Sequence, residues 1–154
     1  MRKLALFLLP IILYLSACTA PVQGVANWAT RLSAEEITNA EAWTLNPYYT
    51  TTRLSQAEID ELVSIINSLD VSNFTEDTSL SSVSGEYGVV IYIRRRYFSI
   101  TQSESRGNGR LEMMYNNKRW LINDDLLNEF IIRKSGWVSM PVWDQGISPA
   151  GVKP

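Results

Sequence analysis

The stretch LEMMYNNKRWLI at residues 111–122 carries the clearest fold signal in this 154-residue chain. Large apolar residues recur at every second position on both sides of Asn116-Asn117, and asparagine pairs suit a two-residue turn whose backbone needs positive φ. With the turn placed there, one face of the hairpin is apolar. Its members are Leu111, Met113, Tyr115, Trp120 and Ile122. A slip of one residue would invert every side chain, so the agreement of both strands supports this register.

A second hairpin is predicted upstream, over residues 89–101. A turn at Arg95-Arg96 sets Ile93 opposite Phe98 and gives one apolar face. Its members are Val89, Ile91, Ile93, Phe98 and Ile100. Two arginines suit a tight turn poorly, and a longer turn is the alternative. Residues 106–109, Arg-Gly-Asn-Gly, supply the connection between the hairpins.

Two helices flank these strands in the sequence. Ser55 and Glu58 match a capping box, and apolar residues recur at helical spacing from Ile59 to Leu69. A last helix begins at Asn123 or Asp124 and ends before Gly136. The expected fold class is α+β: an antiparallel meander of four strands, or five if residues 37–45 add one, with two helices packed on one face.

Residues 33–45 fit two structures. Ser33 and Glu36 resemble a helix capping box, whereas Ile37, Trp43 and Leu45 would share one face of a strand, and we favour a strand after a turn. Residues 70–86 are expected to be a loop.

The N-terminus has the form of a bacterial export signal. Arg2 and Lys3 precede an apolar run from Leu4 to Leu15, too short for the roughly 20 residues of a spanning helix. The sequence that follows, Leu15-Ser16-Ala17-Cys18, resembles the lipobox of bacterial lipoproteins. The resemblance implies cleavage before Cys18 and acylation of its sulfur, which would anchor the chain in the bilayer.

The lipobox resemblance and the predicted strands and helices together divide the chain into four parts. Residues 1–17 are the signal peptide, 18–30 a lipidated N-terminus and short tether, 31–136 one small α+β domain, and 137–154 an extended tail. The expected location is the extracytoplasmic side of a bacterial membrane. Asp after the cysteine resembles an inner-membrane retention signal, so Thr19 favours the outer membrane in a host that has one.

Composition narrows the range of chemistry. The chain has no histidine, and its single cysteine is the expected site of acylation, so Ser-His and Cys-His pairs and His- or thiolate-ligated metals are excluded. We therefore expect no catalytic residues, no metal and no cofactor. The mature chain would hold 12 basic and 16 acidic side chains. Nucleic acid is not expected as a partner of an exported acidic protein.

Two groups of residues are candidates for binding. The first is an anion or partner surface formed by Arg94, Arg95, Arg96, Arg106, Arg110 and Arg119, although arginines at strand edges also keep a sheet soluble. The second is an aromatic contact surface formed by Tyr48, Tyr49, Trp137 and Trp143, for which packing over the sheet is the alternative.

The leading functional hypothesis is a non-enzymatic envelope lipoprotein. It would bind a protein or another envelope component, in the manner of an accessory, inhibitor, exclusion or immunity-type lipoprotein. One alternative is a carboxylate-dependent cell-wall hydrolase, which needs two carboxylates about 5–10 Å apart. The other is a purely structural lipoprotein of the membrane surface.

Overall fold

A computed structural model describes residues 21–45, 48–79, 85–103 and 110–138. They form one antiparallel sheet with helices on one face. The strands are β1 (Ile37–Thr44), β2 (Thr50–Arg53), β3 (Phe74–Asp77), β4 (Tyr87–Ile93), β5 (Arg96–Gln102), β6 (Leu111–Tyr115) and β7 (Lys118–Ile122). The helices are α1 (21–29), α2 (Gln56–Asn67) and α3 (Asp125–Ser135), and two short 3₁₀ turns cover Ala34–Glu36 and Val71–Asn73.

The sheet has seven strands in the order β2-β1-β4-β5-β6-β7-β3. The predicted meander, β4 to β7, forms its centre. The prediction of four or five strands is therefore corrected to seven, because β1 and β2 extend one edge and β3 forms the other. The turns β4–β5 and β6–β7 lie at the same end of the sheet, which we call the hairpin end.

The two hairpins bear out the predicted faces. In the second, Tyr115 pairs with Lys118 as predicted, and both turn residues have positive φ, 51° at Asn116 and 60° at Asn117. In the first, Ile93 pairs with Arg96, so the turn is Arg94-Arg95 and lies one residue earlier than predicted. Moving a turn by one residue shifts the pairing by two, which leaves every side chain on its predicted face.

Strand β1 agrees with the predicted strand but not with its predicted face. We expected Ile37, Trp43 and Leu45 on one side. The pairing with β4 shifts between Ile37 and Asn39, and this irregularity changes the alternation. Ala40 and Ala42 are buried beneath the helices, whereas Trp43 lies on the opposite face and Leu45 is exposed.

Strand β3 occupies part of the region expected to be a loop. Phe74 is buried on the helix-covered face and pairs with Ile122 of β7. The short stretch Phe74–Asp77 has only one apolar residue, so it carried no alternation that sequence reasoning could detect. Strand β2 was missed for the same reason. Thr50–Arg53 contains no apolar residue, and all four of its residues are exposed.

Helices α2 and α3 are confirmed with their caps. Glu58 accepts a hydrogen bond from the Ser55 N–H at 2.7 Å, and Asp124 accepts one from the Leu127 N–H at 2.8 Å. Gly136 ends α3 with φ of 71°, a left-handed conformation that favours glycine.

Helix α1 lies where part of a tether was expected. Val25, Ala26 and Ala29 are buried in the same core as the sheet and the other helices. The predicted tether of 18–30 is thus corrected over 21–29, which are part of the folded domain. The core also encloses large residues that are almost fully buried, among them Trp120, Tyr87, Phe130 and Leu62. The opposite face of the sheet has no helix on it among the described residues.

Candidate functional site

The hairpin end of the sheet gathers three of the six predicted arginines. Arg94, Arg95 and Arg96 lie at the β4–β5 turn and are exposed. Arg31, which sequence reasoning did not select, follows α1 and lines a groove together with Arg96. This arginine groove, with a volume of about 450 Å³, also borders Gly24, Asn27 and Glu36.

Three aromatic residues line the arginine groove and lie close to one another. The ring of Trp28 lies 4.9 Å from that of Phe98 and 6.0 Å from that of Tyr115, measured between centroids. Trp28 comes from α1, Phe98 from β5 and Tyr115 from β6. The groove therefore exists only because α1 packs over the central strands at this point. A groove lined by both arginines and aromatic rings suits a ligand that has an anionic group and an apolar part.

A hollow adjoins the arginine groove and continues its positively charged surface. It is lined by Glu36, Ile93, Arg94, Arg95 and Arg96. Arg94 lies 3.8 Å from Glu36, with side-chain exposures of 79% and 48%. An ion pair this exposed contributes only about 0 to 1 kcal/mol to the stability of the fold. Arg94 is therefore available to a ligand.

The remaining predicted arginines lie elsewhere. Arg110 is at the opposite end of the sheet, where its carbonyl accepts a hydrogen bond from the Ser103 N–H at 2.8 Å. Arg106 lies outside the described residues. Arg119 is on the face of the sheet that lacks helices, 3.5 Å from the carboxylate of Asp77. The structure thus brings together Arg94, Arg95 and Arg96 and separates them from Arg110 and Arg119.

The predicted aromatic residues lie at the end opposite the hairpin end. Tyr48 and Tyr49 are 78% and 68% exposed between β1 and β2. Trp137 instead packs 5.0 Å from the ring of Tyr87 and donates from Nε1 to Glu86 at 2.8 Å. Trp137 therefore packs against the end of the core. This agrees with the alternative interpretation of this residue, packing over the sheet, and not with a contact surface. Trp143 lies outside the described residues.

A second groove crosses the face of the sheet without helices. It has a volume of about 440 Å³ and is lined by residues that include Tyr97, Thr101, Glu112, Met114 and Arg119. Burial raises the pKa of Glu112, and this effect exceeds the opposing attraction of Arg119 and the hydrogen bond from Ser103. Glu112 is the one carboxylate among the described residues that line this groove.

Asp77 does not contribute a reactive group to that groove. Its side chain is 0% exposed and accepts hydrogen bonds from the Ser79 N–H and hydroxyl at 2.9 and 3.0 Å. A carboxylate held in this way, with Arg119 beside it, is a structural ion pair. The described residues contain no group of three or more carboxylates, histidines or cysteines that could hold a metal ion.

The expected anchor residue, Cys18, lies outside the described residues, as does the signal segment. Within the described part of the chain, no helix is long and apolar enough to cross a membrane. Helix α1 begins by residue 21, three residues after Cys18.

Sequence reasoning missed Trp28 and Arg31 because Pro21 and Gly24 gave the preceding segment the composition of a tether. One signal could have revealed them. Val22, Val25, Ala26 and Ala29 recur at helical spacing, which places them on one stripe of a helix.

Comparisons with known proteins show similarity at the level of the fold. No protein-family model matches the sequence, and no curated protein matches it. The structure resembles the crystal structure of a "putative lipoprotein" from Clostridium perfringens, with a TM-score of 0.56 and 13% sequence identity. The match covers 75% of this chain and 97% of the other.

Proposed function

We propose that this protein is a lipid-anchored module of the bacterial cell envelope that binds another envelope component through the arginine groove. The observation that carries the proposal is the groove itself. Arg31 and Arg96 line it together with the aromatic residues Trp28, Phe98 and Tyr115, next to the helix that follows the lipobox cysteine. A ligand or partner with acidic groups fits this surface.

The anchor is supported by the N-terminal sequence and by the structural likeness. The lipobox resemblance at Leu15–Cys18 is complete, and the structurally similar clostridial protein carries the description of a lipoprotein. Two acyl chains suffice for stable membrane attachment. The extracytoplasmic side of the membrane is the expected location, with the outer membrane favoured by Thr19.

The groove geometry favours binding over catalysis. A carboxylate-dependent hydrolase needs two carboxylates facing each other across one cleft. Each of the two grooves has one among the described residues, Glu36 in the arginine groove and Glu112 in the second. Two other hollows have two each. In one of them Glu61, beside Glu129, pairs with Arg133, and in the other Asp124, beside Asp125, caps α3. An accessory, inhibitor, exclusion or immunity-type role needs only the binding surface. A purely structural role would leave the groove without a ligand.

The anchor is tested by Cys18→Ser. We expect the variant to leave the membrane fraction or to accumulate unprocessed, because the acylated sulfur is absent. Mass spectrometry of the N-terminal peptide of the native protein should show the added acyl mass on Cys18. An unmodified peptide, or a Cys18→Ser protein that is processed and anchored as before, would refute this part of the proposal.

The binding role is tested by photocrosslinking in intact cells. A photoreactive amino acid at Asn27, which is exposed and lines the groove, should give a reproducible adduct. The matched control is the same amino acid at Thr52, which is exposed on edge strand β2. Adducts that are absent from both sites, or identical at both, would count against a specific partner at the groove.

A further inference from the structure

We infer that the arginine groove and the β4–β5 turn contact anionic lipid head groups of the same bilayer that holds the acyl anchor. This inference rests on the proposed lipid anchor and names the envelope component that the groove binds. It follows from the short length of chain between Cys18 and the groove, and from the charge of the surface that this chain holds near the membrane.

The covalent chain fixes how far the groove can lie from the anchor. Gly24 lines the groove and is six residues from Cys18. Three residue steps from 18 to 21 span at most about 11 Å in any conformation. Residues 21–24 are helical, and three helical steps add about 4.5 Å. Gly24 therefore lies within about 15 Å of the acylated residue, at any orientation of the domain.

The surface around the groove carries an excess of positive charge. Arg31, Arg94, Arg95 and Arg96 are exposed around the groove and the turn. The acidic residues on the adjoining 3₁₀ turn, Glu35 and Glu36, offset only part of that charge. The Debye length in physiological salt is about 8 Å, so these charges attract the bilayer in those orientations, permitted by the short tether, that bring them within about that distance of it.

An exposed tyrosine next to the arginines also fits a lipid head-group region. Tyr97 is 69% exposed and directly follows Arg96, and its side chain lies on the other face of β5, where it lines the second groove. Its ring lies 6.3 Å from that of Tyr92 on the neighbouring strand. Tyrosine has an apolar ring and a polar hydroxyl, and for this reason it is enriched at membrane–water interfaces.

The tether favours lipid over an acidic protein as the occupant. Every anchored molecule has the bilayer within about 15 Å of Gly24 at all times. A protein partner must instead diffuse to the groove and displace the domain from a surface of opposite charge. An arginine near an anionic surface strengthens binding about fivefold, so a cluster of four is a substantial attraction.

The experiment uses the mature lipidated protein, purified from membranes and reconstituted into two kinds of vesicle. One contains phosphatidylcholine alone and the other phosphatidylcholine with phosphatidylglycerol. Hydrogen–deuterium exchange is then measured over residues 22–36 and 91–98. We expect slower exchange in both segments on the anionic vesicles only, with the difference removed by high salt.

A pair of charge variants identifies the contact. Arg95→Gln with Arg96→Gln should weaken the surface contact roughly 25-fold, at about fivefold per arginine, and abolish the slower exchange. The matched control is Arg53→Gln with Arg110→Gln, two exposed arginines away from the groove, which should retain it. Equal exchange on both vesicles, or equal loss in both variants, would overturn the inference.

Two further outcomes separate this inference from the anchor on which it rests. Protection produced by inorganic phosphate without anionic lipid, or only after addition of envelope proteins, would replace the lipid with a free anion or an acidic protein. The mass of the N-terminal peptide is measured in the same preparations. An unmodified Cys18 overturns anchor and inference together, whereas an acylated Cys18 without lipid-dependent exchange overturns the inference alone.

Discussion

Lys134, near the end of α3, donates a hydrogen bond to Oε1 of Glu58 on α2 at 2.7 Å. The other oxygen of the same carboxylate accepts the Ser55 N–H at 2.7 Å and so closes the cap of α2. One side chain thus joins the start of one helix to the end of the other. It also places a carboxylate near the positive end of the α2 dipole and the lysine near the negative end of α3.

This arrangement predicts a stability that depends on pH. The hydrogen bond from Lys134, followed by those from the Ser55 backbone and hydroxyl, lowers the pKa of Glu58 from 4.5 to about 2. Because the folded-state pKa is depressed, the stabilisation is present above pH 4.5 and is lost as the pH falls towards 2. Glu58→Gln should therefore be less stable than the native protein at neutral pH. The gap between their free energies of unfolding should narrow in acid.

Urea unfolding at pH 7 and at about pH 3 measures this gap. The control is Glu129→Gln, which removes the same charge from an exposed position on α3. A gap between native protein and Glu58→Gln that is unchanged at the two pH values would contradict the assignment.

The buried hydrogen bond between Tyr87 and Asn128 supports a second prediction. The Tyr87 hydroxyl donates to Oδ1 of Asn128 at 2.8 Å, and both residues are buried. Tyr87→Phe leaves the amide oxygen without this donor and should cost about 1–3 kcal/mol. Tyr87→Phe with Asn128→Leu removes both partners and should cost less than the sum of the single changes. Additive losses in this double-mutant cycle would refute a direct interaction.

Ion pairs on the sheet should differ sharply in their importance. Arg119→Leu leaves the enclosed Asp77 carboxylate without its guanidinium, and breaking a buried pair costs about 3–5 kcal/mol. Arg94→Leu breaks the exposed pair with Glu36 and should cost at most about 1 kcal/mol. Unfolding midpoints of the two variants give the comparison directly. Similar losses would mean that Asp77 is less enclosed than the structure shows.

The centre of the fold could be predicted because local and global signals agree there. Alternation around Asn116-Asn117 fixed the second hairpin, and the Ser55–Glu58 cap fixed the start of α2. The edges of the sheet could not be predicted in the same way. Strands β2 and β3 are four residues long and carry too few apolar side chains for a period to show. Their pairing depends on neighbours that are distant in the sequence.

The candidate site was predictable only in part, for a related reason. Arginines that are close in the sequence were grouped as one surface, but successive strands run in opposite directions. Arg96 is the first residue of β5 and Arg110 directly precedes β6, so the two lie at opposite ends of this antiparallel pair. Trp28 and Arg31 were missed because the nine described residues of α1, 21–29, include Pro21 and Gly24 and so have the composition of a tether.

The second groove supports a prediction of the opposite sign to that for Glu58. Burial raises the pKa of Glu112, so its charged form is disfavoured in the folded protein. The resulting penalty is present at neutral pH, decreases as the pH falls through the raised pKa of the folded state, and is absent below the pKa of the unfolded chain. Glu112→Gln removes the charge, retains a side chain that can accept a hydrogen bond from Ser103, and should be more stable than the native protein at pH 7.

Thermal unfolding at pH 7 and at about pH 4 measures the difference in stability, which should shrink in acid. A variant less stable than the native protein at pH 7 would mean that the attraction of Arg119 outweighs the cost of burying the Glu112 carboxylate.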